Sequence, residues 1–476
     1  MSNDFKFDTE LQSQPNYNHT GIDIRFVNDY SFMTQTYDGS GGYKDGTFLL
    51  PYSREAFYED RKKLSAYRNF LKPIVDAVVD PVFSRVIIRK TNNKLFEAFL
   101  NDVDNKGTNI NSHVNDAMTL ARLHGVVFIV MDNFTDLPQT EEQSIQQRKF
   151  PYVKIQPAFC VHSYSTDDFD RLTEITFKNN TTYEDKPAIL LTTWDSVNLT
   201  KTIVDQIPVA GRKPKVLFMK QYQHNLGVLP VISVYATDND EILPMPPFYS
   251  IARTSYSIFQ KDSEIRDQER AQAFSVFYIQ TDTENNSFVL GPHNAIVIPA
   301  SDQINITPGY VSPDPSILAQ LGTNTNDLVN SLFTAAEQQG IVGVQKANSG
   351  IAASYKFIGI NSQLQMTASI AAAYEHSLAS LFGRYIGSDF DYEVQYPTTF
   401  EPVVSPENID NVIKMLGMDL PEEIKVEIKS MLVRQFLNHL DYDRLEELTD
   451  LIVVEPIEIP EVIPQESQQT EVETAQ

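Results

Sequence analysis

Apolar positions along the chain change their spacing several times, and each change marks an element. In "YRNFLKPIVDAVVDPVFSRVIIRK", Tyr67 to Lys90, the residues Phe70, Ile74, Val78, Val79, Val82 and Phe83 fall at helical spacing. Pro73 and Pro81 interrupt that run. A proline removes a backbone donor and turns the preceding residue away from the helix, so two or three short helices with one apolar face are expected. In "NINSHVNDAMTLARLHG", Val114, Met118 and Ala121 recur at helical spacing and Gly125 supplies a C-terminal cap. The continuous apolar run "VVFIVMD" behind it predicts a buried strand. From Pro151 to about Ala236, "YVKIQP", "RLTEITFK", "AILLTTWD", "KVLFMKQY" and "VLPVISVYA" predict an antiparallel β region, divided by turns rich in Asn, Asp, Pro and Gly.

Past Leu243 the helical period returns. Pro246 to Phe274 predicts a long helix with Ile251, Ile258 and Ile265 seven residues apart, apolar in its first half and densely charged in "KDSEIRDQER". Residues 275–311 return to strand signals in "FSVFYIQT", "SFVLGP" and "AIVIPA". Asp314 to Gly340 is helical, "IVGVQKANSG" breaks the pattern, and a third long helix carries Ile370, Tyr374, Leu378, Leu381 and Tyr385 as a stripe closed by Gly387. A strand in "DYEVQYPTTFEP" and a helical cluster from Ser405 to about Ile452 follow. The polar, Tyr- and Gly-bearing residues 1–50 read as an irregular arm. Residues 455–476, without Lys or Arg, read as a disordered acidic tail. The pattern as a whole is α+β, without an internal repeat.

Composition narrows the function classes. The 476 residues are 42% hydrophobic and 21% charged, enough apolar material for several cores. The single cysteine, Cys160, excludes a disulfide framework. No charged start leads into an apolar run, so no secretory signal is expected. The longest apolar run, Gly125 to Met131, is far too short to span a bilayer. The net charge is −25, about half of it in residues 401–476, which argues against static binding of a nucleic-acid backbone but not against letting one slide.

Catalytic signatures are missing. "GSGGYKDG" lacks the Gly-Lys-Ser/Thr of a phosphate cradle. "DVDNKGTNINSH" places Asp102, Asp104 and Gly107 as in a calcium loop, but Lys106 and His113 occupy positions that need oxygen ligands, so a turn is expected. No His-Glu-x-x-His, Cys/His cluster or Gly-x-Ser-x-Gly elbow is present, and neither cofactor nor metal is expected.

Four stretches carry a resemblance. "YRNFLKPIVDAVVDPVFSR", "DAMTLARLHGVVFIVMD", the block "LPVISVYATDNDEILPMPPFYSIARTSYSIFQKDSEIRDQERAQAFSVFYI" and "SGIAASYKFIGINSQLQ" resemble, in pattern and order, the portal proteins of tailed bacteriophages, over roughly residues 60–450. The resemblance implies a non-enzymatic homo-oligomer, a ring usually of twelve copies, at one capsid vertex of the virion. It implies assembly in the host cytoplasm and no membrane. Double-stranded DNA would pass through its channel during packaging and ejection, and its partners would be terminase, the major capsid protein and a tail adaptor. It further implies an N-terminal arm (1–50), a wing (51–245 and, with a long kinked helix, 350–401) and two stem helices (246–274 and 312–340). A small α/β clip (275–311), a tunnel loop (341–349), a helical crown (402–454) and the tail (455–476) complete that division. Val342, Val344, Gln345 and Lys346 of the tunnel loop would face DNA, and Lys261, Arg266 and Arg270 would form a charged stem face. Two other classes remain open beside it: another ring-forming connector or minor head protein of the virion, and an enzyme acting on nucleic acid through an unrecognised carboxylate site.

Overall fold

The computed structural model describes residues 24–53, 55, 57–205, 215–237, 241–272, 276–281, 295–299, 307–311, 315–336, 350–398, 400, 414, 416–418, 420–436, 448–449 and 452. The chain forms two compact units, Met1–Phe400 and Glu401–Gln476.

The first unit opens with α1 (Ile24–Asp38) and the single turn α2 (Gly42–Asp45). This corrects the expectation of an irregular arm for the described part of residues 1–50. Tyr30, Phe32 and Met33 of α1 are fully or almost fully buried. They stand among Asn, Asp, Thr and Gln, so the sequence shows too faint an apolar stripe; tertiary packing, not intrinsic helicity, supplies the stability of such a helix.

The proline-marked segment divides as its prolines dictate. α3 (Tyr58–Leu64) precedes α4 (Leu71–Asp76) and α5 (Asp80–Phe83, with Pro81 in its first turn), and the basic tract then enters β1 (Ile88–Thr91). The expected single apolar face is instead shared among three cores. Ile74 joins the core beneath α1, Val78 and Val79 join another, and Val82 packs with Ile360, Leu364, Ala368 and Phe400. Both prolines sit in the first turn of a helix, Pro73 in α4 and Pro81 in α5, and the consecutive short helices bury against different neighbours.

α6 (Lys94–Asn101) is capped by Asn93, whose side chain accepts from the Leu95 and Phe96 amides at 2.9 and 3.0 Å. α7 (Ile110–His124) is capped by Asn109 and ends at Gly125, φ 87°. A Cβ at Gly125 would stand 3.0 Å from Pro244 Cγ and 3.2 Å from the Met245 carbonyl oxygen, so glycine is required by both angle and space. β2 (Val126–Asp132) follows directly, nearly all of it buried. Beyond α8 (Glu141–Gln146), β3 (Tyr152–Pro157) pairs antiparallel with β2.

A five-strand antiparallel meander then runs through β4 (Val161–Thr166), β5 (Leu172–Tyr183), β6 (Lys186–Trp194), β7 (Asn198–Asp205) and β8 (Val216–Gln223). β9 (Val231–Tyr235) returns to the other edge of β2, so the expected β region is two sheets, β3-β2-β9 and the meander. β4 and β7 escape the sequence pattern because they are rich in Ser, Thr and Asn. Ile175, Phe177, Trp194 and Leu199 of the meander pack with Val126, Phe128 and Val130 of β2 and with Tyr30 of α1.

Next comes α9 (Tyr249–Gln272) and a small mixed sheet in which β10 (Val276–Thr281) lies between β11 (Ala295–Pro299, parallel) and β12 (Gly309–Val311, antiparallel). The strand expected in "SFVLGP" lies outside the described residues. α10 (Pro315–Ala335) and the 37-residue α11 (Gly350–Ile386) follow, the latter closed by Gly387 at φ 69°. Tyr374, Leu378 and Leu381 of the expected stripe are buried against α6, α7 and β2. β13 (Tyr392–Gln395) pairs antiparallel with β1. Of the second unit, α12 (Glu422–Phe436) is described. No described helix is long and apolar enough to cross a membrane.

Candidate functional site

The α9–α10 pair begins with its apolar residues. Ile251, Ala252, Tyr256, Ile258 and Phe259, from the first half of α9, share a core with Leu332, Phe333 and Ala336 at the end of α10. The start of one helix meets the end of the other, so the two run antiparallel, and the β10–β12 sheet joins their far ends. Ser255, Ser263 and Thr325 are buried along the pair. Each hydroxyl satisfies itself on its own helix, at Ile251 O (3.0 Å), Gln260 O (2.9 Å) and Leu321 O (2.9 Å). Burial of these small polar groups therefore leaves no orphaned hydrogen-bonding atom.

Part of the charged half of α9, expected to meet neighbours and solvent, is engaged within the chain itself. Arg68 grips Asp262 through two bonds of 2.6 and 2.7 Å. Arg61, buried, donates to Ser263 Oγ (2.8 Å), to the Leu50 carbonyl (2.6 Å) and through a fork to both oxygens of Glu55 (2.6 and 2.8 Å). Gln260 accepts from the Leu50 amide at 3.0 Å and donates to the Phe48 carbonyl at 2.6 Å. Residues 48–68 are thus latched onto α9 within the same chain. Hydrogen bonding to Glu55 raises the Arg61 pKa, and hydrogen bonding to Arg61 lowers that of Glu55, so both stay charged. The sequence signal for this latch was weak, because Arg61 sits among Glu, Asp and Lys on a short helix and looks like one more surface charge.

Of the expected stem residues, Lys261 is half-buried, and Arg266 and Arg270 are exposed. Arg266 donates to the Leu64 carbonyl at 3.0 Å and so belongs partly to the latch. The three residues lie along the distal half of α9. Ile265 is half-buried, whereas Ile251 and Ile258 are buried. Val342, Val344, Gln345 and Lys346 lie outside the described residues.

α11 is held by two guanidinium groups that the sequence reading did not single out. Arg89 of β1 donates to Glu375 Oε2 (2.8 Å) and Oε1 (2.6 Å), and to Asn111 Oδ1 (2.7 Å). Tyr392 and Tyr396 donate to the same carboxylate. Burial opposes charge on Arg89, but hydrogen bonding and attraction to Glu375 outweigh it and raise its pKa. Burial raises both tyrosine pKa values, reinforced by the Glu375 charge. Two turns earlier, Arg122 of α7 donates to Thr367 Oγ1 (2.8 Å) and the Gln363 carbonyl (3.1 Å). Burial lowers its pKa to about 10.

The calcium-like loop is a turn. The Asp102 carboxylate accepts from the Gly107 amide (2.6 Å) and pairs with Arg148, while Asp104 accepts from the Lys106 amide (2.9 Å). His113 is buried against the Tyr374 hydroxyl at 2.7 Å. No group of three or more potential metal ligands occurs among the described residues.

No protein-family model matches the chain, and no curated protein matches it. Among solved structures, it is similar to a chain of the virion of a native gene transfer agent particle, with TM-score 0.44, 10% identity, 88% of this chain and 95% of that chain covered. It is similar also to a chain of the neck of an empty gene transfer agent particle, with TM-score 0.40, 9% identity, 80% and 94% covered. At such TM-scores neither likeness assigns a fold or a role to this chain.

Proposed function

We propose that this chain is the subunit of a portal-type ring: a structural component of a phage-like virion, set at one capsid vertex, through whose channel DNA is packaged and later ejected. The observation that carries the reading is the order and pairing of elements from Tyr249 to Ile386. An antiparallel helix pair bears a small sheet at its far end, and a 37-residue helix follows after residues 337–349. In this reading α9 and α10 form the stem, the β10–β12 sheet the clip that meets terminase and later the tail adaptor, and residues 341–349 the tunnel loop. The outer face of α10 supports it: Gln320, Thr323, Asn324, Asn330, Ser331 and Thr334 are exposed and uncharged, the one formal charge among them is the acidic Asp327, and such a surface hydrates DNA without fixing its phosphates. Arg266 and Arg270 would supply sparse positive charge on the neighbouring helix.

The test is electron microscopy and mass measurement of the purified chain. A closed ring with a central channel and a narrow stem in side view is expected. A protein that stays monomeric at micromolar concentration across salt conditions would overturn the reading.

A further inference from the structure

The β4–β8 meander ends in two edges of opposite character. Among the described residues β8 pairs only with β7, and β4 only with β5. Along β8, Val216, Phe218 and Met219 are 54%, 40% and 65% exposed, and its formal charges, with the residue before it, are Lys215 and Lys220. A long edge strand carrying exposed apolar side chains is a template for another strand. At the opposite edge, the end of β4 and the turn into β5 carry Asp167, Asp168 and Asp170, with Glu174 just beyond, against the single cation Arg171. Phe169 in that turn is 75% exposed.

The strand pairings fix which side chains share a face. Tyr164 stands opposite Ile175, Ile175 opposite Trp194, and Trp194 opposite Leu199. Ile203, four residues on from Leu199, stands opposite Phe218. Tyr164 on one edge and Phe218 on the other therefore lie on the same face of the sheet. β4 and β8 are the first and fifth strands of an antiparallel meander, so they also run in the same direction.

We propose that β8 of one copy adds in parallel to β4 of the next copy, so that the sheet continues from subunit to subunit around the ring. Setting Lys220 alongside Thr166 places Phe218 alongside Tyr164, on the shared face, and brings the Lys220 side chain toward Asp168. Charge decides the partner. Two β8 strands meeting in a two-fold dimer would confront Lys215 and Lys220 with their own copies, whereas β8 against β4 joins a basic edge to an acidic one. The contact is head-to-tail, the type that closes rings. The inference rests on the ring-forming reading and names the surface that would make it.

Two measurements on the full chain test it. Hydrogen exchange of residues 216–223 is compared between assembled and dissociated protein, and the outward amides are expected to exchange at least about tenfold more slowly in the assembly. Lys220→Glu is expected to raise the concentration for half-assembly about tenfold, and Lys220→Glu with Asp168→Lys to recover most of that loss. Lys186→Glu, on the same sheet but away from both edges, controls for charge alone and is expected to assemble normally. Intact rings with unprotected β8 amides, or a double variant no better than the single one, would overturn this contact and leave the ring reading standing. Absence of rings in the unaltered protein, or a two-fold dimer through β8, would overturn both.

Discussion

Two arginines hold the same helix in opposite ways. At Arg89 the guanidinium meets Glu375, a carboxylate that is 1% exposed and that also accepts from Tyr392 and Tyr396, with Asn111 taking a further donor. At Arg122 the guanidinium meets a hydroxyl and a carbonyl, and among the described residues it has no carboxylate partner. Both are largely withdrawn from water, yet burial lowers the pKa of one while the carboxylate raises that of the other. The difference shows that a buried cation is not by itself a stabilising feature. Its worth depends on whether the desolvation cost of the ion is offset where it sits.

The largest expected effect comes from breaking the satisfied site. Glu375→Ala leaves Arg89 buried without its counter-charge and two tyrosine hydroxyls without an acceptor. It should destabilise the first unit by about 3–5 kcal/mol, read as a shift in denaturant midpoint. Replacing Arg89 by Met and Glu375 by Leu together should cost much less, since neither charge is then stranded. A single variant as stable as the unaltered chain would refute the idea that this carboxylate carries the anchor.

The next effect is one of pH, because a histidine accompanies each arginine in the fold. His113 bonds Tyr374, the neighbour of Glu375, and His124 lies on α7 two residues beyond Arg122, 2.9 Å from Thr34 Oγ1. Burial lowers their pKa values to about 4 and about 3. An unfolded histidine titrates near 6.5, so below that pH the unfolded chain binds protons that the folded chain refuses. Stability should be flat above about pH 7.5 and fall as pH drops toward 4, by roughly 4 kcal/mol at pH 5 for the pair. His124→Gln should make that fall shallower. A midpoint unchanged from pH 7 to 5 would contradict the burial of both rings.

A third arginine sharpens the comparison. Arg61 resembles Arg89 in meeting a carboxylate, but it latches a surface segment to α9. Arg61→Ala should cost about 2–3 kcal/mol and expose residues 48–68 to proteolysis before the core of the unit opens. Simultaneous loss of both would show that the latch and the core are one cooperative piece.

How far the sequence revealed these features follows from how each is encoded. The short helices of residues 67–90 were legible because proline acts locally, and α7, Gly125 and β2 because cap, turn and apolar run are contiguous. α1 was not legible, since Tyr30, Phe32 and Met33 are buried by partners distant in sequence. The divided role of α9 was half legible: the charged run was visible, but Arg68–Asp262 and Arg61–Ser263 are set by the path of residues 48–68, which no periodicity announces. Glu375 lay unremarked beside the stripe residue Tyr374, because a carboxylate next to an apolar stripe looks like the edge of a solvated face. Whether it is instead buried depends on Arg89, 286 residues away.

The smallest expected effect tests the unpaired member of the comparison. Arg122→Met keeps the aliphatic stem that packs between α7 and α11 and removes a charge that no carboxylate among the described residues balances. The groups it leaves are not stranded. The Thr367 hydroxyl still reaches the Val78 carbonyl at 3.0 Å and the Gln363 carbonyl at 2.9 Å, and the Gln363 carbonyl keeps that bond. Lost hydrogen bonds and relieved desolvation therefore oppose each other, and the midpoint should move by less than about 1 kcal/mol in either direction. A loss comparable to that of Glu375→Ala would mean that Arg122 meets an anion beyond the described residues. In that case the contrast between the two arginines would be one of partner identity, not of pairing.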